Sequence, residues 1–168
     1  NMLYADVDGN IGQVMAVRLP IRAYRVPDNL VLDPRDDRTL WRGFADATDL
    51  PVSYNPTQGF LASANNRPVE TPFPVGYFFS PDDRVGRLGD LVRANGKVDL
   101  AHLEAFQQDV TMPSATALRD AILAKAAATG VDSAANPEQR AALDALAAWD
   151  GAHRVDSVGA LAFEVFVD

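Results

Sequence analysis

Two histidines, a scatter of aspartates and one asparagine pair are the side chains here whose type and spacing could do chemistry. His102 and His153 lie far apart, and neither has a carboxylate at a helical i, i+4 spacing, so they make no ordinary zinc site. His102 falls on an expected helix and His153 follows Asp150-Gly151 in an expected loop; both read as surface or core filler. Asp33, Asp36-Asp37 and Asp82-Asp83 offer carboxylates close enough to pair for acid–base work, although acids in proline-rich loops are as a rule simply solvated. Asp6, Asp8 and Asn10 alternate as calcium ligands do. An EF-hand, however, needs glycine at its sixth position and glutamate at its twelfth, where this segment has glycine fourth and Val17 twelfth. Asn65-Asn66 closes a short apolar run and, read locally, ends a strand. There is no glycine-rich phosphate loop and no Gly-x-Ser-x-Gly elbow.

Composition narrows the field further. The chain has 168 residues, 48% of them hydrophobic, which is one domain's worth and enough for a core. With 15 basic and 23 acidic side chains the net charge is −8, so a nucleic-acid partner is not expected. No run of apolar residues is long enough to read as a membrane span. The absence of cysteine excludes a disulfide scaffold, thiol catalysis and cysteine-containing zinc modules. Asn1-Met2-Leu3-Tyr4 reads as the inside of a strand, and the chain stops within the apolar run Ala160 to Val167. A piece of a longer protein is therefore expected.

The elements that must position any site are expected to be strands first and helices later, an α+β chain. Met2–Val7 and Asn10–Val17 are β-rich runs around Asp8-Gly9, the signal for a hairpin with a two-residue turn. From Arg18 to Gln58, five prolines break every candidate helix, leaving a long irregular excursion with short extended pieces. Trp41 reads there as an anchor pinning the loop to the core. Gly59–Ala64 is expected as a short strand. Beyond Asp83, Val85, Leu88, Leu91 and Val92 share one helical face that Gly96 stops. Asp99 can cap a second helix and Ser114 a third that Gly130 closes. Asn136-Pro137-Glu138-Gln139 is the strongest helix start, with Leu143, Leu146 and Trp149 as its buried stripe. The expected division is thus residues 1–84, β-rich with proline-rich loops, and residues 85–168, mainly helical.

Four segments, taken in order, resemble the penicillin acylase family. Tyr4-Ala5-Asp6-Val7-Asp8-Gly9-Asn10-Ile11-Gly12 is similar to its YAD-x-x-GNIG hairpin, and Tyr54 to Pro68 to its NP-x-x-G run ending in NN-x-P. Pro81-Asp82-Asp83-Arg84-Val85 resembles its DR helix start, and Trp149-Asp150-Gly151 with Ser157 and Gly159-Ala160 its helical region. The resemblance implies an N-terminal-nucleophile amidohydrolase with a four-layer αββα core, released from a precursor that cleaves itself before a serine. In that scheme the serine hydroxyl attacks an amide carbonyl and its own α-amino group is the base. By motif position Asn65 is the asparagine that would hold the oxyanion, and Arg84 the arginine that would support the hydrogen-bond network.

What the resemblance leaves outside this sequence is equally definite. Asn1 cannot be the nucleophile, so the serine, the backbone oxyanion donor and most of the acyl pocket are expected upstream. The partners implied are the rest of the same precursor, namely an α chain and the N-terminal part of the β chain, with a small acyl-amide substrate. The chain alone is then expected to be inactive. No cofactor is implied for the chemistry. Many family members hold a structural calcium through an aspartate after the NN motif; Glu70 is the one acid between Arg67 and Ser80, so no metal site is expected in this chain, although the full protein could carry one. A periplasmic or secreted location follows from the resemblance as well. β-Lactam side chains, acyl-homoserine lactones and lipopeptides all stay open as substrates. The competing reading is a non-catalytic acidic α+β binding module that uses Trp41 and Tyr77-Phe78-Phe79 as a contact surface.

Overall fold

The computed structural model describes residues 2–23, 29–68 and 75–167, the side chains of 132 and 133 excepted. The fold is α+β, with strands in the first part and helices in the second, consistent with a piece of an N-terminal-nucleophile hydrolase. The chain divides into two compact units, residues 1–85 and 86–168.

In the first unit β1 (Met2–Ala5) and β2 (Ile11–Val14) pair antiparallel from Met2↔Val14 to Ala5↔Ile11. The hairpin is there, but its two-residue turn is not. The Asp6 N–H bonds the Asn10 carbonyl at 3.0 Å and the Gly9 N–H the Asp6 carbonyl at 3.2 Å, leaving Val7, Asp8 and Gly9 as a three-residue loop. Within that loop Gly9 alone has positive φ, at 87°. Two positive φ values would have been needed for the shorter turn, and the Asp6 carboxylate stabilises the longer one instead.

Three short strands interrupt the excursion that follows. β3 (Leu19–Ile21) pairs with β4 (Gly43–Ala45), and β5 (Val52–Tyr54) adds to β2, giving the sheet order β1-β2-β5. A 3₁₀ turn, Asp37–Thr39, lies between, capped by the Asp36 side chain. Trp41 is not the buried anchor that its residue type suggested. It is 59% exposed, edge-on to Phe44 at 5.5 Å. Gly59–Ala64 is not a strand either. Its residues belong to no strand, Gly59 sits at φ 77°, and the Phe60 carbonyl and Ala64 N–H are taken by the Gln58 and Asn66 side chains.

Helix α1 (Asp83–Asn95) leads into the second unit with Val85, Leu88, Leu91 and Val92 half-buried, and Gly96 ends it at φ 62°. α2 (Leu100–Gln107) starts with a capping box in which Asp99 and His102 satisfy each other's backbone N–H groups. α3 (Pro113–Thr129) is capped at Met112 rather than Ser114, because Pro113 occupies the first helical position, where a missing N–H costs nothing. One turn, α4 (Val131–Ala134), precedes α5 (Pro137–Ala148), whose Asn136–Gln139 capping box is as the sequence indicates. The terminal apolar run forms α6 (Val158–Val167). Leu146, Trp149, Ala160, Ala162, Phe163 and Ala115 make this unit's core. Trp149 sits at its centre, tilted against Phe163 at 4.8 Å, its indole N–H donating to the Ala152 carbonyl at 2.8 Å.

Candidate active site

Asn65 is held by its backbone while its side chain is left unspent. Its φ is 60°, in the left-handed region that asparagine tolerates better than most residues. On one side the Asn66 Oδ1 accepts the N–H of Ala64 at 3.1 Å; on the other its Nδ2 donates to the Arg67 carbonyl at 3.2 Å. The Ser80 N–H donates to the Asn65 carbonyl at 2.8 Å. Beside that bond the Arg67 guanidinium lies 4.9 Å from the centre of the Phe79 ring. The segment around Phe79 and Ser80 is thereby tied to the asparagine pair, and four residues later the same segment reaches Arg84. The Asn65 side chain is exposed and takes part in no hydrogen bond among the described residues. Such a carboxamide has N–H donors to give to a developing negative charge.

Arg84 is exposed on the first turn of α1 and makes no ion pair among the described residues. No hydrogen bond among them joins it to Asn65. The structure therefore ties the backbone of Asn65 to the segment leading to Arg84, without a hydrogen bond between the two side chains.

The residues that assemble this region were not legible as a set. Asn55, at φ 43°, accepts the Ile11 N–H on its Oδ1 at 2.8 Å and donates from Nδ2 to the Asn10 Oδ1 at 2.8 Å. Asn10 in turn donates to Asp6, whose carboxylate also accepts the Tyr4 hydroxyl and the Asp8 N–H. Hydrogen bonding to the charged form pulls the Asp6 carboxyl down to about 2. The hairpin and the Asn55-Pro56 run, two of the four motif segments, are thus one network. Their signal in the sequence was the motif asparagines themselves.

The other candidates have structural work. Asp33 and Asp36 pair with Arg35 and Arg38 on the surface. His102 caps α2, and His153 stacks edge-on against Trp149 at 5.0 Å with its Nε2 3.0 Å from Glu164. Among the described residues no three His, Cys, Asp or Glu side chains converge on a metal position. Glu70 lies outside the described residues.

Comparison with known proteins decides the family. The penicillin amidase family model matches residues 1–168. The chain belongs to the penicillin amidase family. An acyl-homoserine lactone acylase QuiP of Pseudomonas syringae pv. syringae is 32% identical over 99% of this chain and 21% of its own length. Penicillin acylase 2 proenzyme of Pseudomonas sp. strain SE83 is 27% identical over the same shares. Penicillin G acylase of Escherichia coli is 34% identical over 48% of the chain and 9% of its own. The family's named relatives are thus amide-cleaving acylases, and the chain spans about a fifth of the length of the QuiP and penicillin acylase 2 relatives.

Proposed function

We propose that this chain is one part of a larger acylase that hydrolyses an N-acyl amide to a carboxylic acid and an amine, and that Asn65 is its side-chain oxyanion donor. The observation that carries the reading is the Asn65 carboxamide, exposed and without a hydrogen bond among the described residues, on a backbone fixed from both sides. The nucleophile in this reading is an N-terminal serine elsewhere in the precursor. When its hydroxyl adds to the amide carbonyl, the carbonyl oxygen becomes an anion, and the Asn65 Nδ2–H donates to it. Because a carboxamide does not titrate, this donor is constant across the working pH range. Collapse of the adduct expels the amine, which takes the proton the serine lost, and water then releases the acid. Arg84 supports the network around this point. A periplasmic or secreted setting, and assembly with the rest of the self-cleaved precursor, belong to the same proposal.

The test is Asn65→Ala in the intact protein, assayed on an N-acyl-homoserine lactone and on penicillin G, substrates named by the relatives' own activities. Loss of one oxyanion donor lowers kcat by about 10²–10³-fold with little change in fold. An unchanged kcat on a substrate that the native protein hydrolyses would overturn the role of Asn65. Two chains in a denaturing mass spectrum, the larger beginning with serine, are the expected sign of self-cleavage.

A further inference from the structure

We infer that Asn66 is a positioning residue for Asn65, fixing the direction in which its side chain leaves the backbone; the inference rests on the oxyanion reading of Asn65. A non-glycine residue at φ 60° is strained and persists where its surroundings over-determine it. Those surroundings are mainly one side chain. The Asn66 carboxamide folds back across Asn65, its Oδ1 on the Ala64 N–H at 3.1 Å and its Nδ2 on the Arg67 carbonyl at 3.2 Å. It therefore ties the Ser63–Ala64 peptide to the Arg67–Pro68 peptide, with Asn65 spanned between them. Ala64 is 4% exposed, so few waters can replace Asn66 as the partner of that N–H. The Ser80 N–H closes the third side through the Asn65 carbonyl at 2.8 Å. With these two peptides and the Asn65 carbonyl held, the Cα–Cβ bond of Asn65 has one direction, which limits where its carboxamide can reach before any charge develops. Asn66 itself spends both ends of its amide on the backbone, so it acts through its neighbour and not on substrate.

A double-mutant cycle in the intact, self-cleaved protein tests this, with kcat and KM measured on an N-acyl-homoserine lactone. Asn66→Ala is expected to lower kcat by about 10- to 100-fold, since small misplacement of a catalytic group costs rate, with KM within about twofold. In an Asn65→Ala background the same change should lower kcat no further. Asn66→Asp keeps an acceptor for the Ala64 N–H but loses the donor to the Arg67 carbonyl, and should recover only part of the loss. Ser80→Pro deletes the third tie and supplies an independent variant should Asn66→Ala fail to fold; its loss of kcat should likewise vanish in the Asn65→Ala background. A slow Asn65→Ala beside an unchanged Asn66→Ala overturns the positioning role alone, as does an equal loss in both backgrounds. An unchanged Asn65→Ala removes the oxyanion reading and the positioning role together.

Discussion

Asp6 concentrates four hydrogen bonds on one half-buried carboxylate: from the Tyr4 hydroxyl, from the Asp8 and Asn10 backbone N–H groups and from the Asn10 carboxamide. All four favour the ionised form, which brings the group down to about 2. The sign of the pH effect follows. A carboxyl lowered in the folded state stabilises the fold above its unfolded value of about 3.9. That contribution is lost as pH falls through about 2. The hairpin loop is accordingly expected to stay closed at pH 4 and to loosen toward pH 2. A carbon-detected NMR titration of the Asp6 carboxyl checks it, and a midpoint near 4 would contradict the network. At this scale the sequence was only partly readable. Asn65 and Arg84 could be singled out by motif, but the clamp made by Asn66 depends on a left-handed φ at Asn65 that no residue pattern announces.

Glycines on two helices carry opposite expectations. A Cβ on Gly159 of α6 would collide with the Trp149 Cβ and lie 2.8 Å from the Ala145 carbonyl oxygen, so α5 and α6 approach through that hydrogen atom. Gly159→Ala should therefore destabilise by about 1–3 kcal/mol through overpacking. Gly86 of α1 meets nothing within 4 Å, so Gly86→Ala should stabilise by about 0.5–1 kcal/mol by restricting the unfolded chain. Thermal unfolding of both variants decides, and two shifts of the same sign would refute the close approach. Helices were the legible elements because their signals are local. Asp99 and Asn136 each cap within three residues, and Gly96 and Gly130 stop their helices with a positive φ. β3, β4 and β5 were not legible individually, since three residues carry too little alternation and their pairing is decided by partners far along the chain. Gly59–Ala64 had the composition of a strand, yet its residues belong to no strand.

Across the molecule, much apolar surface is open to solvent. On β1, Met2, Leu3 and Tyr4 are 60%, 59% and 54% exposed, and α6 leaves Leu161 and Val165 66% and 71% exposed. β1 and β5 are also the outer strands of their sheet. Produced alone, the 168-residue chain is expected to self-associate and to hydrolyse no N-acyl amide. Light scattering and the acylase assay check both, and a monodisperse, active monomer would contradict the proposed division of the site. The order of strands in that sheet also has a kinetic meaning. β1 and β2 are neighbours in sequence, and a hairpin of this kind closes in about 1–10 μs. β5 must return across the intervening excursion, and its Asn55 reaches an Asn10 that is 45 positions away. The entropy of closing that long loop is lost before the ladder and the paired amides can repay it. The Asn10–Asn55 bond is in this sense a latch on the slow event. The local hairpin is accordingly expected to form first and to serve as the edge onto which the returning β5 adds.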